Sequence, residues 1–152
     1  MLPVEDHTCD GFTPFAACES LKLLYRANPY PHSFVGTNWF QGEKNICKWT
    51  GVTCHASNQI KTLKLARFQL KVLPAYSFSG LPDVTWLELS SNQIRKIEAH
   101  SFAGLTNLID LDLGQNEIDT IEANSFSDLS SVQNLNLGDN QLTKLKAHTF
   151  AG

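Results

Sequence analysis

Four cysteines, five histidines and one close pair of aspartates are the residues of this chain whose chemistry could build a site. Cys9 and Cys18 are spaced C-x8-C, and Cys47 and Cys54 are spaced C-x6-C. Zinc ligation asks for closer pairs such as C-x2-C, so a metal is disfavoured. Disulfides, for which four cysteines allow three pairings, and buried thiols remain as readings. Cys54-His55 sets a thiol beside an imidazole, but neighbours on an extended chain point to opposite sides, which separates a nucleophile from its base. Asp110-Leu111-Asp112 places two carboxylates on one strand face, the pattern of a calcium site or an acid–base pair, and equally that of a solvated face. No G-x-x-x-x-G-K-[S/T], G-x-S-x-G or H-E-x-x-H occurs. The expectation is a chain that is not an enzyme and uses no cofactor and no metal.

The composition narrows the field further. With 42% apolar and 18% charged residues in 152, the chain is neither disordered nor collagenous. It has no apolar run long enough to cross a bilayer. A net charge of −3 argues against a nucleic-acid arm or a polybasic lipid-binding segment. The opening MLPVEDHTCD has an acidic pair and no apolar core of signal-peptide length. The chain also stops at the repeats without a C-terminal cap, and together these features are read as a fragment of a longer product. No N-x-[S/T] sequon occurs.

What positions the candidate residues is a repeat of 24. Phe78, Phe102, Phe126 and Phe150 keep that step, as do Leu63, Leu87, Leu111 and Leu135, and likewise Leu65, Leu89, Leu113 and Leu137. Asn92, Asn116 and Asn140 follow it too. The units are 57–80, 81–104, 105–128 and 129–152, each reading L-x-x-L-x-L-x-x-N-x-[I/L] with a later Phe and Leu. Paired leucines on a short strand point inward while their neighbours point outward. One such strand buries almost nothing alone, so units must stack. The Asn amide both donates and accepts, and serves backbone groups left unpaired where the chain leaves the strand. Phe68 stands in the Asn slot of the first unit, so the Asn ladder begins at Asn92. His100 and His148 share a slot with Tyr76 and Asn124, which reads as a tolerant loop position. Gly80, Gly104 and Gly152 share another, read as turn glycines.

This pattern resembles the leucine-rich repeat, in its typical 24-residue class. The resemblance implies an α/β fold: a curved solenoid with short parallel strands on its concave face, near Leu63–Leu65, Leu87–Leu89, Leu111–Leu113 and Leu135–Leu137. Residues 1–56 lack the repeat and hold every cysteine, as a lid over the solenoid end would. Within them, Thr13-Pro14 is a plausible helix start with Pro in its first turn. Cys18, Leu21, Leu24 and Tyr25 form an apolar helix stripe, and Asn28-Pro29-Tyr30-Pro31 ends it. Trp39, Cys47, Trp49, Gly51, Val52 and Cys54 then make W-x7-C-x-W-x-G-V-T-C. That motif is similar to the plant-type N-terminal cap of receptor-like kinase ectodomains and polygalacturonase-inhibiting proteins. The resemblance implies a Cys47–Cys54 disulfide, leaving Cys9 and Cys18 for a second, and an extracellular or cell-surface location.

The family binds proteins on the concave face, which carries over here to Lys64, Arg67, Trp86, Glu88, Asp110, Asp112, Asn134 and Asn136. Equivalent positions on adjacent strands lie about 4.8 Å apart. Lys64 should therefore pair with Glu88, while Glu88 abuts the like-charged Asp112. Unit 105–128 has six acids (Asp110, Asp112, Glu117, Asp119, Glu122 and Asp128) and no Lys or Arg, though a ladder such as Arg95–Asp119 would neutralise part of that charge. Such a surface favours a basic protein or peptide partner, with no nucleic acid and no membrane contact. The leading expectation is a ligand-recognition module from an extracellular receptor or secreted protein. A secreted hydrolase inhibitor and a structural matrix component are the alternatives.

Overall fold

The computed structural model describes residues 9–28, 33–34 and 36–151. Residues 1–8 of the opening segment, Pro29-Tyr30-Pro31 and Gly152 therefore lie outside the described residues. The first element among the described residues is a helix, α1 (Phe15–Ala27), followed by a short 3-10 turn (Ile46–Lys48). Among the described residues seven short strands follow: β1 (Val52–Cys54), β2 (Ile60–Lys64), β3 (Trp86–Glu88), β4 (Lys96–Ile97), β5 (Asp110–Asp112), β6 (Thr120–Ile121) and β7 (Asn134–Asn136).

The strands β1-β2-β3-β5-β7 form one sheet in that order. β1 runs antiparallel to β2, and every later pair is parallel. The register follows the repeat: Thr62, Trp86, Asp110 and Asn134 form one row, and Lys64, Glu88, Asp112 and Asn136 another. Between them runs the inward row Leu63, Leu87, Leu111 and Leu135. The repeat strands end one residue earlier than the leucine pairs suggested. The second leucine still donates to the ladder, as Leu65 N–H to Glu88 O and Leu89 N–H to Asp112 O. The chain then turns through a left-handed residue at Arg67, Ser91, Gln115 and Asp139, with φ between 53° and 62°.

The opposite side carries the two-stranded β4–β6 ribbon, from units 81–104 and 105–128, and the phenylalanine row of all four units. The rings of Phe78, Phe102, Phe126 and Phe150 stack nearly parallel at 6.1, 5.4 and 5.1 Å. Here the slot of Tyr76, His100, Asn124 and His148 corrects the sequence reading. All four residues are left-handed, with φ from 60° to 64°, so the position is conformationally demanding rather than tolerant. Of the turn glycines, Gly104 is left-handed, but Gly80 is fixed by close approach: a Cβ there would lie 2.2 Å from Ala16 O on α1.

The asparagine ladder supplies the polar spine. Asn116 Oδ1 accepts from Ile94 N–H, and its amide donates to the carbonyls of Leu89, Leu113 and Gly114. Asn92 and Asn140 repeat this pattern one unit before and after. Where Phe68 replaces the asparagine, its ring packs against Phe34 and Trp39. The corresponding polar task passes to Asn28, which sequence reasoning treated only as part of a helix stop. Asn28 is 2% exposed. Its Oδ1 accepts from Lys71 and Val72 N–H, and its amide donates to Leu24 and Val72 O. One side chain thus ties the end of α1 to the first unit.

The N-terminal segment closes over the core with aromatic bulk. Trp39 and Trp49 are buried 5.0 Å apart, and each indole N–H is satisfied by a carbonyl, of Thr50 and Glu43 respectively. Gly51 meets both demands that favour glycine: φ is +84°, and a Cβ would lie 2.2 Å from Lys64 O. Disulfides join Cys9 to Cys18 and Cys47 to Cys54. α1 buries Ala17, Cys18, Leu21 and Leu24, and Pro14 stands just before its first turn as the N-cap rather than inside it. At the other end, unit 129–152 stacks on one neighbour, leaving Leu145 and Phe150 about half exposed.

Candidate functional site on the strand face

The outward rows of the five-stranded sheet bring together most of the residues singled out from sequence. Trp86, Asp110 and Asn134 adjoin along one row, and Lys64, Glu88, Asp112 and Asn136 along the other. Trp86 is 42% exposed although inward burial would suit its size, so the fold leaves a large aromatic surface facing solvent. With Asp110, Leu111, Asp112, Asn134 and Asn136 it lines an open depression of about 330 Å³. A second depression of about 280 Å³ continues along Ser90, Asp112, Gly114, Gln115, Asn136 and Asp139. Arg67 stands apart from these, exposed in the left-handed turn after β2.

The polar groups here are oriented by one another. Asn134 Nδ2 donates to Asp110 Oδ1 at 2.6 Å. Asp112 Oδ1 accepts from Asn136 Nδ2 and from Gly114 N–H, both at 2.9 Å. Asn136 Oδ1 in turn accepts from Gly138 N–H at 2.9 Å. A side chain at Gly114 would collide with Asn136 Nδ2 at 2.7 Å, so this glycine keeps the aspartate–asparagine pair in place. The repeat spacing gives no sign of this role for Gly114, which shares its slot with Ser90 and Gly138.

Two expected pairings differ. Lys64 and Glu88 are register neighbours, yet the Lys64 ammonium lies 4.6 Å from the Trp86 ring centroid, a cation–π contact on the diagonal. Arg95 pairs with Glu117 at 2.8 Å, not with Asp119, which instead meets it through the backbone. Away from the strand face, Glu122 lies between Lys96 and Lys146, and Lys96 also contacts Glu98. Hydrogen bonding to Lys146 and then Lys96 holds the Glu122 carboxyl below its ordinary range. The Glu98 and Glu122 contacts raise Lys96. Glu117 and Glu122 on that side therefore have basic partners, whereas Asp110 and Asp112 on the strand face have only amides.

Nothing among the described residues assembles a catalytic or metal constellation. Cys54 is in a disulfide and offers His55 no thiol. No three His, Cys, Asp or Glu side chains gather as a metal site among the described residues. No helix there is long and apolar enough to cross a membrane.

Parallel strands in 24-residue register, an asparagine ladder and a phenylalanine row define a leucine-rich-repeat fold. Residues 84–142 and 111–152 match the family model for the leucine rich repeat. Among solved structures, the chain is similar to TLR13 in its complex with ssRNA13. The two are 34% identical, with a TM-score of 0.56, over 58% of this chain and 12% of that one. It is also similar to the Drosophila Toll–Spatzle complex, at 27% identity and a TM-score of 0.50, over 55% of this chain and 11% of that one. The chain thus spans about an eighth of the length of the structures it matches. No curated protein matches it.

Proposed function

We propose that this chain is a non-catalytic recognition module, the N-terminal part of an extracellular receptor or secreted leucine-rich-repeat protein, and that it binds a protein or peptide on the concave strand face of a curved solenoid. The carrying observation is the half-exposed Trp86 beside Asp110 and Asp112 in an open depression, on a face with no structural need for an exposed indole. Tryptophan is enriched among residues that dominate binding energy. Two disulfides support an oxidising compartment, and likeness to parts of Toll-type receptors supports the receptor context. The Cys47–Cys54 bridge and the paired tryptophans support reading residues 1–56 as a cap of the plant type.

One neighbour is an RNA complex, but the two aspartates at the depression would repel phosphates, so a protein or peptide is the better partner. Peptide-display selection against the full chain tests this. Selected ligands should lose roughly 2 kcal/mol or more of affinity with Trp86→Ala. They should associate more slowly with Asp112→Lys, an effect that salt weakens. Asp119→Lys, a matched reversal outside the strand face, should change neither. Ligands sensitive to Asp119→Lys and indifferent to Trp86→Ala would overturn the assignment.

A further inference from the structure

The strand face carries a more specific arrangement than a generic acidic surface. The Trp86 ring has a cation on it already: Lys64 reaches across from β2, with its Nζ 4.6 Å from the centroid. Beyond Trp86, on the side of units 105–128 and 129–152, lies the depression lined by Asp110, Asp112, Asn134 and Asn136. Each aspartate is anchored through one oxygen, Oδ1, by an asparagine amide, and for Asp112 also by Gly114 N–H. Among the described residues, neither Oδ2 has a hydrogen bond or an ion pair. Two oriented carboxylates with free oxygens thus stand beside an aromatic wall, on adjacent outward rows of one strand.

We propose that this depression is the seat of a single arginine side chain from the partner, its guanidinium against Trp86 and its N–H groups on Asp110 and Asp112. The proposal rests on the recognition reading above and names the chemistry of that partner. A guanidinium suits the site better than an ammonium. It is planar enough to stack on the indole, and it presents several donors in a fixed fork to two carboxylates. Holding the carboxylates in place beforehand reduces the ordering cost of binding. The charge pattern fixes where on the face such a residue docks. Lys61, Lys64, Arg67 and Lys71 make the first unit basic, and the third has acids only, so an incoming cation is repelled from one end and drawn toward the other.

The test uses the full, disulfide-intact chain and short blocked peptides of Gly and Ser with one central Arg, Lys or Gln, added at millimolar concentration. Binding is read by chemical shifts of the Trp86 indole N–H and of the Asn134 and Asn136 side-chain amides. The Arg peptide should give saturable shifts at these three groups, the Lys peptide a several-fold weaker response, and the Gln peptide none. Asp110→Asn with Asp112→Asn keeps an oxygen for each anchoring contact and should weaken the Arg peptide about tenfold. Asp119→Asn should leave it unchanged. An unchanged melting temperature in the double variant separates loss of binding from loss of fold. Equal responses to Arg and Gln, equal losses in the double variant and Asp119→Asn, or no saturable shift at all would each overturn the proposal. Display ligands that still require Trp86 in that event would leave the recognition reading standing.

Discussion

Replacing Asn116 with alanine measures how much the polar spine contributes. Asn116 is 7% exposed, and its amide makes contacts that cross units: Oδ1 to Ile94 N–H, and Nδ2 to the carbonyls of Leu89, Leu113 and Gly114. Alanine leaves the Ile94 donor without a partner and removes one of the two amide donors on each of the Leu89 and Leu113 carbonyls, which keep Asn92 and Asn140 respectively. At about 1.5 kcal/mol for the buried donor left unpaired and about 0.75 kcal/mol for each of the two carbonyl bonds lost, the loss is roughly 3 kcal/mol. Asn124 is the informative comparison. It is exposed and makes no side-chain contact of this kind, but its φ is +60°. Alanine there incurs the left-handed penalty, about 1 kcal/mol, and glycine does not. For a chain of this size 1 kcal/mol corresponds to about 2–4 °C in Tm. Asn116→Ala should therefore melt about 6–12 °C below the parent, and Asn124→Ala about 2–4 °C below it. Asn124→Gly should sit close to the parent. Calorimetry at one pH and protein concentration suffices. Equal shifts for Asn116→Ala and Asn124→Ala, or a larger loss for glycine than for alanine at position 124, would refute the reasoning.

Other outcomes follow from the same structure. Cys47→Ser with Cys54→Ser opens a loop of sequence separation 7 and should cost about 2.5 kcal/mol in denaturant unfolding; an unchanged midpoint would show that the bridge adds nothing. Gly51→Ala must place a Cβ 2.2 Å from Lys64 O at a left-handed residue, so it should lower soluble yield and Tm more than Gly36→Ala, which has open space. Glu122 is lowered by Lys146 and Lys96, so its contribution is present above the ordinary carboxylate range and is lost as pH falls through its own, lower titration. Glu122→Gln should flatten the dependence of Tm on pH in mild acid and leave neutral-pH binding alone. Appending a polar terminal cap beyond unit 129–152 should cover Leu145 and Phe150, raise Tm and reduce self-association measured by sedimentation.

The fold was legible wherever one residue type recurs at one step. Leu87, Leu111, Asn92, Asn116 and the phenylalanines each repeat a physical task, so spacing alone places them on the sheet, the turn or the opposite side. Tasks performed once, or by changing residue types, were not legible. Asn28 does for the first unit what Asn92 does for its neighbour, but it lies outside the 24-residue phase and beside a proline, where it reads as a helix stop. Tyr76, His100, Asn124 and His148 share a backbone conformation rather than a chemistry; asparagine and histidine are types enriched in the left-handed region, but tyrosine is not, so the slot shows no single residue type. Side-chain partners were the other gap. Lys64 turns to Trp86 rather than Glu88, and Arg95 to Glu117 rather than Asp119. Long exposed side chains choose among neighbours that differ by less than about 1 kcal/mol, and a register does not resolve differences of that size.

The contrast between the two sides of unit 105–128 bears most directly on function. A run of six acids can be a drifting solvated surface, and on the side of β4 and β6 the arrangement fits that description. Glu117 has Arg95, and Glu122 has Lys96 and Lys146, in exposed pairs that serve to neutralise the unit. The strand face is built otherwise. Its aspartates are held by Asn134 and Asn136, groups that orient a carboxylate without cancelling its charge, and Gly114 leaves room for the nearer of those amides. Meanwhile Lys64 is turned onto Trp86 instead of Glu88. Stability alone would favour bases across from Asp110 and Asp112, as on the other side. A chain that gives Glu117 and Glu122 bases and leaves Asp110 and Asp112 charged, oriented and beside an exposed indole fits the proposed cationic partner.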